Sequence, residues 1–568
     1  MTVTLATILA LGCVAAAPGG EIFDHATVGF LRQIDPRPLR IIGVQYSGRV
    51  ATLDTVAREQ LAQMYGRAEI EGLPSAVAYL ELYFNTGEYL SRPLVYVREK
   101  KMRQFVGAHL TGRAKAAFQR TNRIPPACLM NDFAARELAA AARADMQQYA
   151  RAGDVPSLGG ALASLSRRRE YKLLVDRLYA RYSALLGMGL LRLIPVAEGD
   201  WPPAEEFLRA GGVRDQEPAL PAAAQELGRK LIALRDAWRR RDHHRVNSIV
   251  AELSRLLPVA SADYPAVSTR RLELLYNRTY KGTLVWIGFG ISLVLLIIAA
   301  ASGRTWARRA GLAVFGLSTL LLAIGFVIRW AISGRAWYLP PMMNQWEAVT
   351  SSALLGAVLV IVLELIWKKN YLAIAAALYA TVAMLCGHFI PVFFPGKMDS
   401  HLRALPGLLA SKVMAVHVSV IVIGHALVGM TFFISVLYLL VRAWRGSLVR
   451  PASAAADLAG TEAVSSLAAI DRCNLIVAQL ACWTVLLGTI LGAYWADIAW
   501  ARWWGWDRKE TWALLTAIVY IIALHLRFVT PTRSRGLVMA VICILGCAVM
   551  MFNWIVVNFF LEGMHSYA

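Results

Sequence analysis

The segment WARWWGWDRKETWALL, residues 500–515, brings five tryptophans and five charged residues together between two long apolar stretches. Tryptophan is enriched at membrane interfaces as an anchoring belt, and that role explains one or two of these residues. The density favours a second role, an aromatic platform for a flat, apolar ligand, because stacked rings contribute roughly 0.5–1.5 kcal/mol per pair beyond burial. Charged neighbours are suited to meet carboxylates at the rim of such a ligand. The candidate platform residues are Trp495, Trp500, Trp503, Trp504, Trp506, Asp507 and Trp512.

A flat ligand with carboxylates and a central iron also needs axial ligands, which histidine supplies. His417 and His565 lie far apart in the sequence, and the membrane spans predicted below place both near the level of the platform. For any single histidine, packing as a satisfied polar group is the alternative. Two histidines that converge beside one aromatic segment favour iron ligation.

A third histidine, His525, lies thirteen residues beyond Trp512 on one apolar stretch, which is ~20 Å deeper along a helix. An ionisable side chain buried in a bilayer is a functional candidate by default. The alternative is that His525 reaches the cytoplasmic interface beside Arg527. Position alone does not choose between these two interpretations.

The composition is that of a membrane protein, because 57% of the 568 residues are hydrophobic and only 17% are charged. A net charge of +21 also suits polyanion binding, but the basic residues cluster in short loops between apolar runs, a pattern that sets membrane topology. We therefore predict no nucleic-acid partner. The seven cysteines form no CxxC pair, so neither a disulfide framework nor a zinc site is predicted, and the lack of CxxCH excludes a c-type cytochrome.

Eight apolar runs in the second half of the chain are each close to the ~20 residues that cross ~30 Å of hydrocarbon. Alternate loops, 303–310, 368–370, 442–450 and 527–535, are rich in Lys and Arg and so share the cytoplasmic side. The platform, the C-terminal tail and everything before the first span then face outward. The predicted spans are 283–302, 311–333, 349–367, 371–394, 412–441, 474–494, 510–526 and 536–558.

The chain before these spans is different in character. Residues 1–19 are predicted to be a signal peptide or short N-terminal anchor, because VTLATILALGCVAAA is apolar and ends in small residues. Residues 20–280 contain no run long enough to span a bilayer, and the segments at 132–152 and 222–257 have the spacing of amphipathic helices. The prediction is an all-α polytopic membrane protein with about eight transmembrane helices in residues 281–568, preceded by a mainly helical extracytoplasmic domain in residues 20–280. The run RRRDHHR, 239–245, is either a metal or anion patch or a solvated helix face.

The segment GAYWADIAWARWWGWDRKETWALL resembles the tryptophan-rich WWD signature of heme-handling membrane proteins. Its WDxKETWAL ending is similar to the CcsA (ResC) branch, which serves System II cytochrome c biogenesis. HVSVIVIGHA, LHLR, GMHSYA and PMMNQWEAVTSSALL resemble further segments of that branch, so the likeness covers about residues 340–568. A weaker likeness, at VQYSGRVATLDTVARE, is to the extracytoplasmic domain of longer family members.

The resemblance implies that heme b crosses the membrane and is presented at the WWD loop, residues 493–512. There the thiols of an apocytochrome c CxxCH motif add to the heme vinyls in a holocytochrome c synthase complex. The resemblance implies His417 and His565 as the outer iron ligands and His525 as a ligand inside the membrane. The second ligand inside the membrane is expected from a ResB (CcsB) partner, with His425 as the alternative within this chain.

The resemblance further implies a bacterial cytoplasmic membrane, with the WWD loop, the N-terminal domain and the C-terminus on the periplasmic side. Thiol–disulfide reductant proteins are additional candidate partners. The main alternative is a heme exporter or chaperone of the CcmC or CcmF type, which delivers heme without catalysing attachment. A transporter that uses His525 as a proton relay is a more distant alternative.

One residue departs from the family pattern. Arg508 follows Asp507, where the family has proline. Proline would fix the backbone at that turn, so arginine predicts a more flexible and more basic loop. Pairing of Arg508 with a heme propionate stays open.

Overall fold

The computed structural model describes residues 22–98, 100–109, 112–126, 191–196, 199–208, 222–279, 282–367, 370–393, 398–405, 407–448 and 454–561. The chain divides into two compact units, Met1–Asn277 and Arg278–Ala568. The predicted signal peptide and the predicted helix at 132–152 lie outside the described residues.

The first unit is mainly helical, and its described residues include two small antiparallel sheets, in which β1 pairs with β2 and β3 with β4. The predicted amphipathic run at 222–257 forms two helices instead of one, because Arg241 has a positive φ of 58° and Asp242 then caps the second helix. The elements are α1 (His25–Leu31), α2 (Pro36–Arg40), β1 (Gly43–Tyr46), β2 (Arg49–Thr52), α3 (Leu53–Tyr65), α4 (Ser75–Phe84), α5 (Thr86–Tyr89), β3 (Val95–Tyr96), α6 (Lys100–His109), α7 (Gly112–Thr121), β4 (Arg123–Ile124), α8 (Ala204–Leu208), α9 (Ala222–Arg239), α10 (His243–Leu256) and α11 (Val267–Thr279).

A buried polar network fastens α11 to the hairpin of β1 and β2. The hairpin turn has positive φ at both Ser47 and Gly48, which is the requirement of the type I′ turn that matches strand twist. Arg49, directly after the turn, donates to the buried carboxylate of Glu273 at 2.8 Å, and the Thr55 hydroxyl donates to the same oxygen at 2.7 Å. A buried carboxylate with a charged partner and further donors is stable, whereas removal of one partner leaves an uncompensated charge.

Within the described residues, eight helices are long and apolar enough to cross a membrane. They are α12 (Gly282–Ser302), α13 (Thr305–Ile332), α14 (Gln345–Trp367), α15 (Asn370–Phe393), α16 (Lys412–Leu448), α17 (Ala454–Trp500), α18 (Arg508–Val529) and α19 (Arg535–Phe552). A π-helical turn, Asn553–Val557, and a short helix α20 (Asn558–Phe560) continue α19. The prediction of an all-α polytopic membrane protein is confirmed.

The helices α16 and α17 extend beyond the predicted spans of 412–441 and 474–494. They have 37 and 47 residues, and 37 residues of helix measure ~55 Å, against ~30 Å of hydrocarbon. Hydropathy marks the part of a helix that is surrounded by apolar groups, and it says nothing about helical turns that continue into a polar layer.

Glycines allow α16 and α17 to lie close together. A Cβ added to Gly424 of α16 would come 3.0 Å from Val485, and one added to Gly488 of α17 would come 2.8 Å from Ile421. Small residues at such contacts are the usual means by which membrane helices bring their backbones together. This contact fixes the two helices that carry the central residues of the site described below.

The Glu273 network gives a stability prediction for the first unit. Glu273→Gln removes the charge that pairs with buried Arg49, so we expect a loss of about 3 kcal/mol in the stability of this unit. Hydrogen exchange in the full-length protein, followed by mass spectrometry of peptides covering residues 43–65, should then be faster. Glu252→Gln is the control, because Glu252 pairs with Lys230 at the surface; that variant should exchange as the parent does. Equal protection in the Glu273 variant would show that the network does not hold this part of the fold.

Candidate functional site

A cavity of about 220 Å³ lies in the second unit beside the tryptophan segment. Its walls come from the start of α14, from α16 and α17, from the start of α18 and from the π-helical turn after α19. Both polar and apolar side chains face it, which is the composition of a small-molecule site. The residues that line it include Met342, Met343, Asn344, Gln345, His417, His425, Gly492, Trp495, Trp504, Lys509, Asn553, Trp554 and Asn558.

His417 of α16 lies against α17 at one end of this cavity. Its Nδ1 is 2.8 Å from the carbonyl oxygen of Gly488, and a Cβ on Gly492 would lie only 2.7 Å from its Cε1. Because a carbonyl oxygen can only accept, Nδ1 carries the hydrogen and the lone pair of the neutral ring lies on Nε2. A histidine oriented in this way through its other nitrogen has the form that metal-binding histidines adopt.

The predicted platform is part helix and part loop. Trp495 and Trp500 belong to the last turns of α17, where their rings meet edge to face at 4.9 Å. Only residues 501–507 lie between α17 and α18, so the non-helical loop is shorter than the predicted 493–512. Trp495 is buried and Trp504 half-buried, and both line the cavity.

The other loop tryptophans are exposed. Trp503 is 53% exposed and Trp506 is 72% exposed. The two rings belong to different aromatic pairs, Trp503 with Tyr494 at 5.8 Å and Trp506 with Trp504 at 5.9 Å. Neither of them lines the cavity, but Trp506 packs on Trp504, which does.

Asp507 closes the loop by capping α18. Its side chain accepts from the backbone N–H of Lys509, while the Glu510 side chain accepts from the backbone N–H of Asp507, the reciprocal arrangement of a capping box. Glu510 also accepts from the N–H of Gly505 at 2.9 Å. Arg508 occupies the first position of the helix, where a proline would also fit, and the capping box holds the helix start without it. The acidic residues of this motif thus act on the backbone.

Trp512 packs in the membrane part of the unit. Its ring stacks on Phe552 at 4.0 Å with an angle of 28° between the planes. This contact joins the first turn of α18 to the end of α19, and it places the π-helical turn next to the cavity.

Buried Glu347 fixes the wall of the cavity that faces α16. Arg329 of α13 donates to its Oε1 at 3.0 Å, and Arg335 donates to its Oε2 at 2.8 Å. The N–H of Met343 donates to the same carboxylate at 3.1 Å, so the segment 342–345 is tied to this ion cluster. The segment was singled out through resemblance, whereas nothing in the sequence indicated its arginine partners from the preceding helix and loop.

The remaining histidines lie elsewhere. His525 is exposed near the end of α18, with its Nδ1 2.8 Å from the carbonyl oxygen of Ile521, and it does not line the cavity. Arg527 beside it binds Asp471 through two hydrogen bonds of 2.9 and 2.6 Å. His565 lies outside the described residues.

His401 is held in an outer polar loop, 2.6 Å from Asp399. Burial alone would raise the pKa of Asp399, but the hydrogen bonds and charge of His401 and the charge of Arg403 keep that pKa below its ordinary value. His401 is thereby committed to a carboxylate and lies apart from the cavity.

The structure brings together His417, His425, Trp495 and Trp504 from the predicted set. It adds Lys509, Asn553 and Trp554, which are not among the site residues predicted from the sequence. Each is a polar residue or an indole close to the end of an apolar span, and that position is the feature of the sequence that could have indicated them. Across the described residues no group of three or more His, Cys, Asp or Glu side chains is placed to hold a metal ion. The run RRRDHHR forms the end of α9 and the start of α10.

The sequence of this chain is similar to those of known proteins, and the similarity includes residues around the cavity. Residues 343–565 match the family model for cytochrome C assembly protein. NrfI of Wolinella succinogenes is 24% identical over 542 residues, which are 92% of this chain and 53% of NrfI, so the chain spans about half the length of that relative.

Two CcsA proteins match the membrane half. The cytochrome c biogenesis protein CcsA of Parasynechococcus marenigrum is 27% identical over 300 residues, 49% of this chain and 95% of that protein. CcsA of Chlamydomonas reinhardtii is 27% identical over 254 residues, 45% of this chain and 67% of that protein. The matched segment contains His417, the tryptophan loop and the capping box of α18. Residues 343–565 of this multi-pass membrane protein thus match the family of the CcsA-type cytochrome c biogenesis proteins.

Proposed function

We propose that this protein binds heme at the outer face of a bacterial cytoplasmic membrane and presents it to the CxxCH motif of apocytochrome c. The observation that carries the proposal is the placement of His417. It lines a cavity walled by Trp495 and Trp504, and its hydrogen bond to Gly488 leaves the lone pair on Nε2. An imidazole of this form beside indole rings suits an iron porphyrin. A role in cytochrome c biogenesis agrees with the relatives.

The side chains divide the work of holding the substrate. His417 binds the iron, and His565 in the C-terminal tail is proposed as the second ligand. Trp495 and Trp504 exclude water from the ring, and the exposed Trp503 and Trp506 contact its outer edge or the incoming peptide. Asp507 and Trp512 act indirectly, because they fix the loop and the first turn of α18.

Thioether formation adds a thiol across a heme vinyl group. For each vinyl group the S–H bond breaks, one S–C bond and one C–H bond form, the vinyl double bond becomes a single bond, and no group leaves. The contribution of the protein is therefore mainly to orient the vinyl edge toward the thiol, since proximity and orientation supply several kcal/mol in such reactions. We assign no general base.

Heme delivery from inside the membrane is assigned to His525. Its exposure on the surface of the second unit supports a site completed by another chain. We propose that a ResB (CcsB)-type partner supplies the second ligand there. Thiol–disulfide reductants would keep the CxxCH cysteines reduced.

Loss of the outer ligand gives the first test. His417→Ala should lower heme retention in purified protein at least about tenfold, because an axial ligand contributes more than the outer-shell contacts whose loss costs 10–100-fold. Added imidazole should partly restore the low-spin reduced spectrum. His388→Ala is the matched control, since His388 is a span histidine exposed away from the cavity. Equal heme retention in all three proteins would contradict the ligand assignment.

The orientation of His417 gives a separate test. Gly492→Ala places a methyl group where only 2.7 Å separates it from the His417 ring. The ring must then turn away, so heme affinity should fall about 10–100-fold, the scale of lost outer-shell support. Gly316→Ala is the control, because a Cβ there meets nothing within 4 Å. A normal heme titration for the Gly492 variant, followed by absorbance, would argue against this placement of the ring.

Attachment and delivery are separated by co-expression. The protein, with and without its ResB-type partner, is produced together with a CxxCH reporter in cells that lack other maturation systems. Covalent heme on the reporter in a denaturing gel supports attachment. Bound heme on this protein with an unmodified reporter, even when the partner is present, supports a CcmC-like or CcmF-like delivery role instead.

A further inference from the structure

The far end of the cavity contains a second histidine whose chemistry differs from that of His417. His425 lies eight residues further along α16, ~12 Å along the helix axis, and lines the same cavity. The indole Nε1–H of Trp554 donates to its Nδ1 at 2.9 Å, with the two rings nearly perpendicular.

This hydrogen bond fixes the proton of His425. An indole N–H is only a donor, so the Nδ1 that receives it must carry the lone pair. The imidazole is then neutral, and its hydrogen lies on Nε2. In this form Nε2 has no lone pair for a metal, and the ring offers the cavity an N–H donor. The two histidines of α16 therefore differ: one presents a lone pair and the other presents a hydrogen.

A π-helical turn places Trp554 beside His425. The turn spans Asn553–Val557, and such turns inside helices often occur at functional sites. It also brings Asn553 and Asn558 to the cavity, where their amide oxygens are buried without a hydrogen-bond partner among the described residues. Asn553 is only 7% exposed. Buried polar atoms without partners are costly. An amide oxygen only accepts, so these two atoms need a donor such as a water molecule, and they do not themselves bind a carboxylate.

Lys509 and Glu510, in the first turn of α18, supply the ammonium and the carboxylate group among the described residues that line the cavity. Glu510 holds the backbone of the loop. The ammonium of Lys509 has three donors, so it can serve a substrate as well as its neighbours in the protein. An ammonium group and an imidazole N–H that face one cavity match a carboxylate, since charge-assisted hydrogen bonds are the stronger kind.

We propose that the cavity binds a carboxylate of the substrate beside His425, through the Nε2–H of His425 and the ammonium of Lys509, with Trp554 as the positioning residue for His425. The proposal rests on the proposed function, in which the substrate is a porphyrin held by His417. His417 and His425 both project from α16 into the same cavity. A porphyrin bound by His417 and lying alongside α16 can therefore reach toward His425. The carboxylate edge then points inward, and the vinyl edge, on the opposite side of the porphyrin, points toward the exposed tryptophans.

Metal-free protoporphyrin IX and its dimethyl ester test this assignment, because neither contains iron and they differ only in the two carboxylates. Binding to the purified full-length protein is followed by porphyrin fluorescence. The parent protein should prefer the diacid by about tenfold or more, the scale of a hydrogen bond to a charged group. His425→Ala should lower that preference several-fold, and Lys509 accounts for the part that remains. The affinity for the ester should change less than about twofold, because a neutral ester is a weaker acceptor than a carboxylate.

Further variants distinguish a donor from an iron ligand. Trp554→Phe should reduce the preference for the diacid without abolishing it, because it frees the ring to change tautomer. His425→Gln, which keeps an N–H donor, should retain part of the preference. With heme, both variants should keep the low-spin spectrum, and His417→Ala should lose it. Unchanged binding of the ester serves as the folding control for each variant.

The outcomes separate the two proposals. If the parent protein binds both porphyrins equally well, the carboxylate site is wrong and the proposed function stands. If His425→Gln converts bound heme to a high-spin spectrum that imidazole restores, His425 is an iron ligand and the inference is overturned. If neither porphyrin nor heme binds the parent protein, the proposed function fails and the inference fails with it.

Discussion

The second unit depends on one close contact, the approach of α16 to α17 at the ring of His417. The ring fits there because Gly492 has no side chain, and it is oriented because the carbonyl of Gly488 accepts its hydrogen. The contact also requires that the two backbones come within reach, which Gly424 and Gly488 permit. The imidazole proposed to bind iron is thus positioned by residues whose side chains take no part in ligation. This explains why the arrangement cannot be recognised from the list of polar residues.

Most of the charged groups near the cavity act on the protein itself. Glu347 gathers two arginines and one backbone N–H to hold the segment before α14. Asp507 and Glu510 cap α18 and hold the tryptophan loop. A preorganised wall of this kind lowers the cost of binding, because the groups that touch a ligand need not be ordered when it arrives. The side chains left to face a ligand are few. They include His417 at one end of the cavity and His425 at the other, with Lys509 from α18.

The sequence predicted the eight helices well because each contains an apolar run of membrane length, and this property is local. It predicted the ends of α16 and α17 poorly, because helical turns beyond the hydrocarbon have no apolar signal. Asp507 was taken as a ligand contact, and its capping role follows from backbone geometry that composition does not contain. His425 was considered only as an iron ligand, since its partner Trp554 lies 129 residues away. The local pattern singled out both residues. Backbone geometry within one helical turn then sets the capping role of Asp507, and a long-range contact sets the tautomer of His425.

The length of α16 and α17 has a consequence for the side of the membrane opposite the tryptophan loop. α16 continues past residue 441 to Leu448, and α17 begins at Ala454, well before the predicted span that starts at residue 474. The predicted topology places these additional turns on the cytoplasmic side, where the twenty residues of α17 alone measure ~30 Å. A protein that touched this overhang would therefore stand on the opposite face from the indole rings, and the same two helices would meet it at one end and carry His417 near the other.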